Sequence, residues 1–289
     1  MKSLLHYPGS KKRIASWIIE NMPEHHSYLD PYFGGGGMFF EKPPSKIETV
    51  NDLDGDVVNF FRVIQNPESC QELQEWLTYT PYSRQVYDES FTKEPQSPVE
   101  QAGYFAVRSM QSHDFRLTEK CGWKKDVYGR EAAYAVRYWN QLPESLAEMA
   151  IRLKGVQIEN KPALELIRAF DHDNVLIYLD PPYVLSTRTR KQYRHEMSDQ
   201  DHEELLKMVI SSKAKIMLSG YDCELYERYL KGWRRIQIPA RAQNSLPRVE
   251  TLWMNFEPVN PNLMEQTGGK RYGSAGGSTN PFHKIFICN

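Results

Sequence analysis

Val175-Leu176-Ile177-Tyr178-Leu179-Asp180-Pro181-Pro182-Tyr183 decides the fold. Its first five residues are mostly apolar and are bounded by Asp173-Asn174 on one side and Pro181 on the other. A short apolar run with such borders predicts a strand buried on both faces, as in a parallel sheet. The two prolines lack an N–H and fix φ, so the strand stops there. The break falls at the carboxyl edge of the sheet, where open α/β sheets bind ligands. It leaves Asp180 and the carbonyl of Pro181 facing a cleft, with Tyr183 close by.

This group of atoms suits amine chemistry. The exocyclic amine of a nucleobase is a poor nucleophile because its lone pair is conjugated with the ring. A carboxylate and a backbone carbonyl accept hydrogen bonds from its two hydrogens, draw the nitrogen toward a tetrahedral shape and free the lone pair. Neither acceptor has to move as the transition state forms, and a flat ring stacks on a base turned out of its helix. A strand ending at an Asp-Pro turn is common in itself. The full Asp180-Pro181-Pro182-Tyr183 set after a buried strand is more specific.

Asp-Pro-Pro-Tyr is the catalytic motif of amino-methyltransferases, and the chain as a whole resembles the Dam-type DNA adenine methyltransferases. The resemblance implies an α/β, Rossmann-like core that uses S-adenosylmethionine, split by a mainly helical target-recognition insertion. It implies methyl transfer to the N6 amine of a flipped adenine in double-stranded DNA, without metal or a covalent enzyme intermediate. Asp180, Pro181, Pro182 and Tyr183 are the catalytic group in that scheme. Residues 1–81 become the cofactor half of the core, 82–150 the insertion, 151–258 the catalytic half and 259–289 a Gly-rich tail.

Composition sets the outer limits. A chain of 289 residues is long for one compact domain and buries a large core. Its formal net charge is −1, so no global field draws it to nucleic acid and DNA binding has to come from local patches. The four cysteines, Cys70, Cys121, Cys223 and Cys288, form no C-x-x-C pair. They predict free thiols in a reducing cytoplasm, with neither a zinc site nor a disulfide framework. No apolar run reaches the length of a membrane span, and the N-terminus is no signal peptide. Oligomeric state is not readable; a monomer is compatible with everything present.

Working outward, Tyr7-Pro-Gly-Ser-Lys11 predicts a turn, with Ser10 capping a helix from Lys11 to about Asn21. The segment is similar to the family's opening cofactor segment, which makes Tyr7 and Lys11 cofactor contacts. Ser27-Tyr-Leu-Asp30 predicts a strand that ends in an acid. Pro31, Tyr32, Phe33 and the glycines Gly34–Gly37 follow, then an apolar helix start at Met38–Phe40. Glycines after a strand let a ligand press on the backbone. The loop resembles the family's Phe-x-Gly-x-Gly motif, with Tyr32 where Phe is usual. Asp30, Tyr32, Phe33, Gly34, Gly35 and Gly36 are therefore expected around the cofactor. Lys46–Asp52 predicts a second strand. An acid about 20 residues past such a loop commonly binds a ribose diol, which points to Asp52 with Leu53 beside it. Asp54 and Asp56 compete for the role, but helix-starting acids are explained more simply by the dipole.

From about 82 to 150 the strand and Gly-loop units stop. Between 108 and 137 there are seven Lys/Arg against four Asp/Glu, interleaved with aromatics. The pattern suits phosphate contact and base reading, and also fits a helical subdomain with a solvated charged face. The family places target recognition in this slot, and Phe105-Ala-Val-Arg108-Ser-Met resembles the signature of its start. Arg116, Lys124 and Arg130 are the expected DNA contacts there. Strands follow at 155–158 and 214–218, with helices at 162–169 and 223–230, and a capping box starts a helix at Ser198-Asp-Gln-Asp201. Thr187–His195 holds Arg188, Arg190, Lys191 and Arg194 and no acid, which predicts phosphate binding or a lid. Arg248-Val-Glu250-Thr-Leu-Trp253-Met-Asn255 also recurs in the family and otherwise reads as an alternating strand.

A cytosine-ring methyltransferase needs a nucleophilic Cys, usually after Pro, and no Cys here follows Pro. A cytosine-amine enzyme typically has Ser in place of Asp180. RNA or protein amines, or a DNA-binding regulator with a dead core, stand as the other readings.

Overall fold

A computed structural model of the chain describes residues 5–113, 119–128, 133–188, 191–241 and 247–257. Among the described residues seven strands form one sheet: β1 (Ser27–Asp30), β2 (Ile47–Asn51), β3 (Val156–Glu159), β4 (Val175–Leu179), β5 (Lys215–Gly220), β6 (Arg234–Arg241) and β7 (Pro247–Met254). Their spatial order is β3-β2-β1-β4-β5-β7-β6. The first five run parallel, and β7 lies antiparallel between β5 and β6. The chain winds outward from β1 to β3, then returns to β4 on the other side of β1. The carboxyl ends of β1 and β4 therefore flank the switch point of a Rossmann-like sheet, the place where such sheets open a crevice. Leu29 pairs with Ile177 in register, which brings Asp30 and Asp180 to the same edge.

β4 is buried along its whole length, as its apolar run predicts. Leu176 and Tyr178 pack into the apolar cluster on one face, and Val175, Ile177 and Leu179 into the cluster on the other. The first face is covered by α1 (Ala15–Glu20), α2 (Gly55–Gln65), α3 (Pro67–Tyr79), α4 (Arg84–Thr92), α5 (Pro98–Gln111) and α6 (Tyr134–Leu153). The second is covered by α7 (Ala163–Ala169), α8 (Asp199–Val209) and α9 (Glu224–Tyr229). The capping box of α8 is formed as read, with Ser198 and Asp201 bonded reciprocally.

Two local expectations are corrected. Ser10 does not cap a helix. Its N–H closes a turn onto the Tyr7 carbonyl, a 3-10 turn follows at Lys12–Ile14, and α1 starts only at Ala15. Lys11 sits where the cap belongs and turns its side chain back to the Gly9 carbonyl, 2.8 Å away. The apolar stretch after the glycines does not become a helix either. It makes overlapping turns, with Phe40 N–H on the Gly36 carbonyl and Lys42 N–H on the Met38 carbonyl, and Pro43-Pro44 prevent their continuation.

The described part of 82–150 contains α4, α5 and most of α6, plus one bridge between Ser112 and Trp123. α5 is no solvated helix. Phe105 is fully buried and packs on Phe60 of α2 at 5.4 Å between ring centroids. This segment and the first strands share one apolar core.

Candidate active site

Three strand ends supply three carboxylates, Asp30 buried and Asp52 and Asp180 half-buried. β1 ends in Asp30, which accepts a hydrogen bond on Oδ2 from the Tyr28 hydroxyl at 3.2 Å. Its Oδ1 is buried with no hydrogen-bond partner among the described residues. Burial, and the negative charge of Asp180 beside it, push its pKa up to about 8. Asp52 follows β2 and accepts the backbone N–H of Gly34 at 2.8 Å and of Asp54 at 2.9 Å. Burial raises it to about 6, against those same hydrogen bonds. Asp180 follows β4. Burial lifts it to about 6, and the neighbouring Lys11 keeps it from going higher.

Lys11 is the cation of the group. Its Nζ lies 2.8 Å from Asp180 Oδ1 and 4.7 Å from the centre of the Tyr183 ring. Burial works against this ammonium, but Asp180 and Glu250 outweigh it and hold its pKa above the ordinary lysine value. The Tyr183 ring meets Tyr221 edge-on at 4.7 Å, and its hydroxyl donates to Glu250 Oε2 at 2.7 Å.

The glycine loop closes one side. Gly34 has φ +52°, and a Cβ there would lie 2.7 Å from the Tyr7 ring, so the site requires glycine. Across the pocket the Tyr193 ring sits 6.3 Å from Tyr7.

The cofactor residues expected from sequence, Tyr7, Lys11, Asp30, Tyr32, Phe33, Gly34, Gly35, Gly36, Asp52, Leu53 and Asp180, all line this one pocket, and Pro182 joins them. Tyr183 lies behind Lys11, toward β7. The acid at the end of β3, Glu159, does not line the pocket, whereas Ala163 and Leu164 at the start of α7 do. Asn160 instead holds the carbonyl of Asp52 at 2.8 Å. The segment after the catalytic motif contributes Tyr193, Arg194, Glu196 and Met197 to the wall, of which the sequence reading singled out only Arg194, and for a different task.

The expected DNA contacts are placed unevenly. Arg116, Arg130 and Arg190 lie outside the described residues. Lys191 is exposed. Lys124 is half-buried, and burial lowers its pKa. Arg188 is not available as a phosphate grip. Its side chain is 10% exposed, pairs with Glu196, and donates through Nε to the Tyr183 carbonyl at 2.7 Å. Arg194 reaches Asp56 at 2.5 Å and Asp54 at 3.5 Å, and Asp56 also meets Arg108 at 3.3 Å. The acid helix start that looked like simple dipole compensation is thus a docking point for the loop after the catalytic motif. Tyr128 is 96% exposed, and the Arg137 guanidinium lies over the half-exposed rings of Tyr134 and Tyr138 at 5.2 and 5.5 Å.

A mostly parallel sheet with its pocket at the switch point, a glycine loop after β1 and Asp-Pro-Pro-Tyr after β4 together define a Rossmann-like methyltransferase. The chain belongs to the D12 class N6 adenine-specific DNA methyltransferase family, whose model matches residues 7–244. It is accordingly an enzyme that methylates adenine in DNA. It is similar to the Type II methyltransferase M1.LlaDCHI of Lactococcus lactis subsp. cremoris, at 27% identity over 257 residues, 82% of this chain and 87% of that protein. A precorrin 8W decarboxylase from Methanobacterium thermoautotrophicum superposes over 84% of this chain and 88% of its own, with 8% identity and a TM-score of 0.33, too slight a likeness to bear on the fold. Among the described residues no helix is long and apolar enough to cross a membrane.

Proposed function

We propose that the pocket between β1, β2 and β4 binds S-adenosylmethionine, and that Asp180, Pro181 and Tyr183 receive a flipped adenine from double-stranded DNA. The observation that carries the cofactor assignment is the charge of the pocket. Asp30, Asp52 and Asp180 converge in it with Lys11 as their near cation, and Asp30 Oδ1 is buried with no hydrogen-bond partner among the described residues. Three carboxylates against one near ammonium leave the pocket short of positive charge, which suits a ligand bearing an ammonium and a sulfonium. When bound, S-adenosylmethionine supplies an electrophilic methyl group.

The rest of the chemistry belongs to the chain. Lys11 holds Asp180 through Oδ1, leaving the other carboxylate oxygen for the target amine. Asp180 and the Pro181 carbonyl accept the two N6 hydrogens and turn the nitrogen lone pair toward the methyl donor. As the amine gains a methyl group it loses one proton, and Asp180 is the carboxylate placed to take it. The Tyr183 ring stacks on the base. Asp52 holds the glycine loop around the cofactor and presents its carboxylate to the ribose. The surface around Lys124, Tyr128 and Arg137, together with Arg116 and Arg130, carries target recognition, and Lys191 and Arg190 grip phosphate.

The test is direct. Duplex DNA is incubated with the enzyme and methyl-labelled S-adenosylmethionine, digested, and its nucleosides resolved by mass spectrometry. Label in N6-methyladenosine that vanishes in Asp180→Ala is the expected result. Label in N4-methylcytosine, or none with wild-type enzyme, would overturn the reading.

A further inference from the structure

Glu250 lies on β7, inside the sheet, on the same face as Leu252 and Met254. It is 9% exposed, where a carboxylate is an expensive residue unless something needs it. Its partner is the hydroxyl of Tyr183, at 2.7 Å. Tyr183 carries the ammonium of Lys11 over its ring at 4.7 Å, and that ammonium reaches Asp180 at 2.8 Å. The four side chains come from three separate parts of the chain and form one unbroken line ending on the acceptor of the target amine.

We infer that Glu250 is a positioning residue for methyl transfer, fixing the Tyr183 ring and, through Lys11, the carboxylate of Asp180. The inference rests on the reading that Asp180 accepts the target amine. The physical chain has two links. A phenol donating to a carboxylate makes a charge-assisted bond, which pins the far end of the ring against rotation and sliding. The same bond makes the ring more electron-rich, and a richer ring face holds a cation more firmly. Tyr221 closes the ring from the side, edge-on at 4.7 Å, so the ring plane is set on two fronts. A base that stacks on Tyr183 then meets a fixed surface, and an Asp180 held by Lys11 does not swing away from its amine. Mispositioning of the reacting groups by about 1 Å is enough to reduce turnover substantially.

A purely structural role for Glu250 makes the opposite forecast for stability. Buried polar or ionic pairs exchanged for apolar residues of similar size are often neutral or stabilising. The experiment therefore compares wild type, Glu250→Ala, Tyr183→Phe and the double variant Glu250→Leu with Tyr183→Phe. Single-turnover rate, cofactor affinity and Tm are measured for each on duplex DNA. Each single variant should lower the rate roughly 10- to 100-fold, the worth of one charge-assisted hydrogen bond. The double variant should lose about as much as Tyr183→Phe alone, since that change already removes the bond to Glu250. Cofactor affinity should stay as in wild type, and the double variant should melt no lower than wild type. Tyr183→Phe leaves β7 intact, so it decides the matter if Glu250→Ala fails to fold. A full rate in Tyr183→Phe, losses that multiply in the double variant, or a loss of rate that follows Tm would overturn the inference. Absence of any adenine methylation by wild-type enzyme would instead strike at the proposed function.

Discussion

The Lys11 ammonium and the Asp180 carboxylate lie 2.8 Å apart, one from the turn before α1 and the other from the end of β4. This pair settles what each residue does in the free protein. Lys11 keeps Asp180 ionised in a site that otherwise favours the neutral acid, and Asp180 keeps a buried lysine charged.

A pH dependence follows. Only the ionised Asp180 offers both oxygens as acceptors, and its pKa stands at about 6 because burial raises it and Lys11 opposes the rise. Asp30, Glu250, Tyr178, Tyr183 and Tyr193 also face it. The single-turnover rate should therefore fall as pH drops through about 6. In Lys11→Met the opposing cation is gone, so the acid limb should move to higher pH. Asp180→Ala should lose roughly 10²–10³ in rate, as for removal of one preorganised polar group. A Lys11→Met profile with its acid limb unmoved would contradict this account of the pair.

Asp30 gives a second dependence, with a definite sign. Its pKa in the folded protein is about 8, above the ordinary 3.8, chiefly through burial. A carboxyl raised on folding contributes stability that is complete below pH 3.8 and is lost as pH rises through about 8. Asp52 and Asp180, both at about 6, act in the same direction. The ligand-free enzyme should therefore lose Tm progressively from about pH 4 to about pH 8, most steeply below about 6 where all three acids contribute, and Asp30→Asn should flatten the part above about 6. A cationic ligand favours the ionised acid, so S-adenosylmethionine should bind more tightly as pH rises from 6 to about 8. In Asp30→Asn the affinity should drop roughly 10- to 100-fold and lose most of that rise. Calorimetric titrations across the pH series check both statements.

In the proposed reading Asp52 acts on the cofactor through the loop as well as by direct contact. Its carboxylate holds the N–H groups of Gly34 and Asp54. Asp52→Ala should weaken S-adenosylmethionine binding by roughly 10- to 100-fold and leave DNA affinity in the absence of cofactor as in wild type. Unchanged cofactor affinity by calorimetry would remove both the loop-holding and the ribose role.

The parts legible in the sequence are those that one short stretch encodes. The buried run of β4 and its break at Pro181, the acid at the end of β1 and the glycines after it all carry their own signal. What escaped reading was pairing between distant stretches. Nothing in the spacing of Glu250 says that it meets Tyr183, or that Arg194 meets Asp54 and Asp56. Arg188 looked free because the acid that holds it, Glu196, stands just past the end of the cation run. Ser10 failed as a cap because a tertiary contact, Lys11 on Asp180, turns the backbone where local propensity would start a helix.

The cations of the loop after the catalytic motif should divide into two kinds. Lys191 is exposed, whereas Arg188 is bound to Glu196 and Arg194 to Asp54 and Asp56. A phosphate grip weakens binding to every sequence alike, and its loss lowers the log–log salt slope by about one. Lys191→Ala, alone or with Arg190→Ala, should do this and leave the preferred site unchanged. Arg194→Ala should leave the salt slope near the wild-type value and instead weaken cofactor binding, because it unfastens the wall that Tyr193 and Glu196 share with it. Base contacts act differently, changing the ratio between sequences by roughly 1–3 kcal/mol for each good pair. At least one of Arg116→Ala, Lys124→Ala and Arg130→Ala should therefore relax site choice. Binding to a cognate duplex and to one-base-changed duplexes across a salt series separates the three classes. A changed site preference in Lys191→Ala, with none in the insertion variants, would reverse the assignment. A reduced salt slope in Arg194→Ala with full cofactor affinity would return that residue to the DNA.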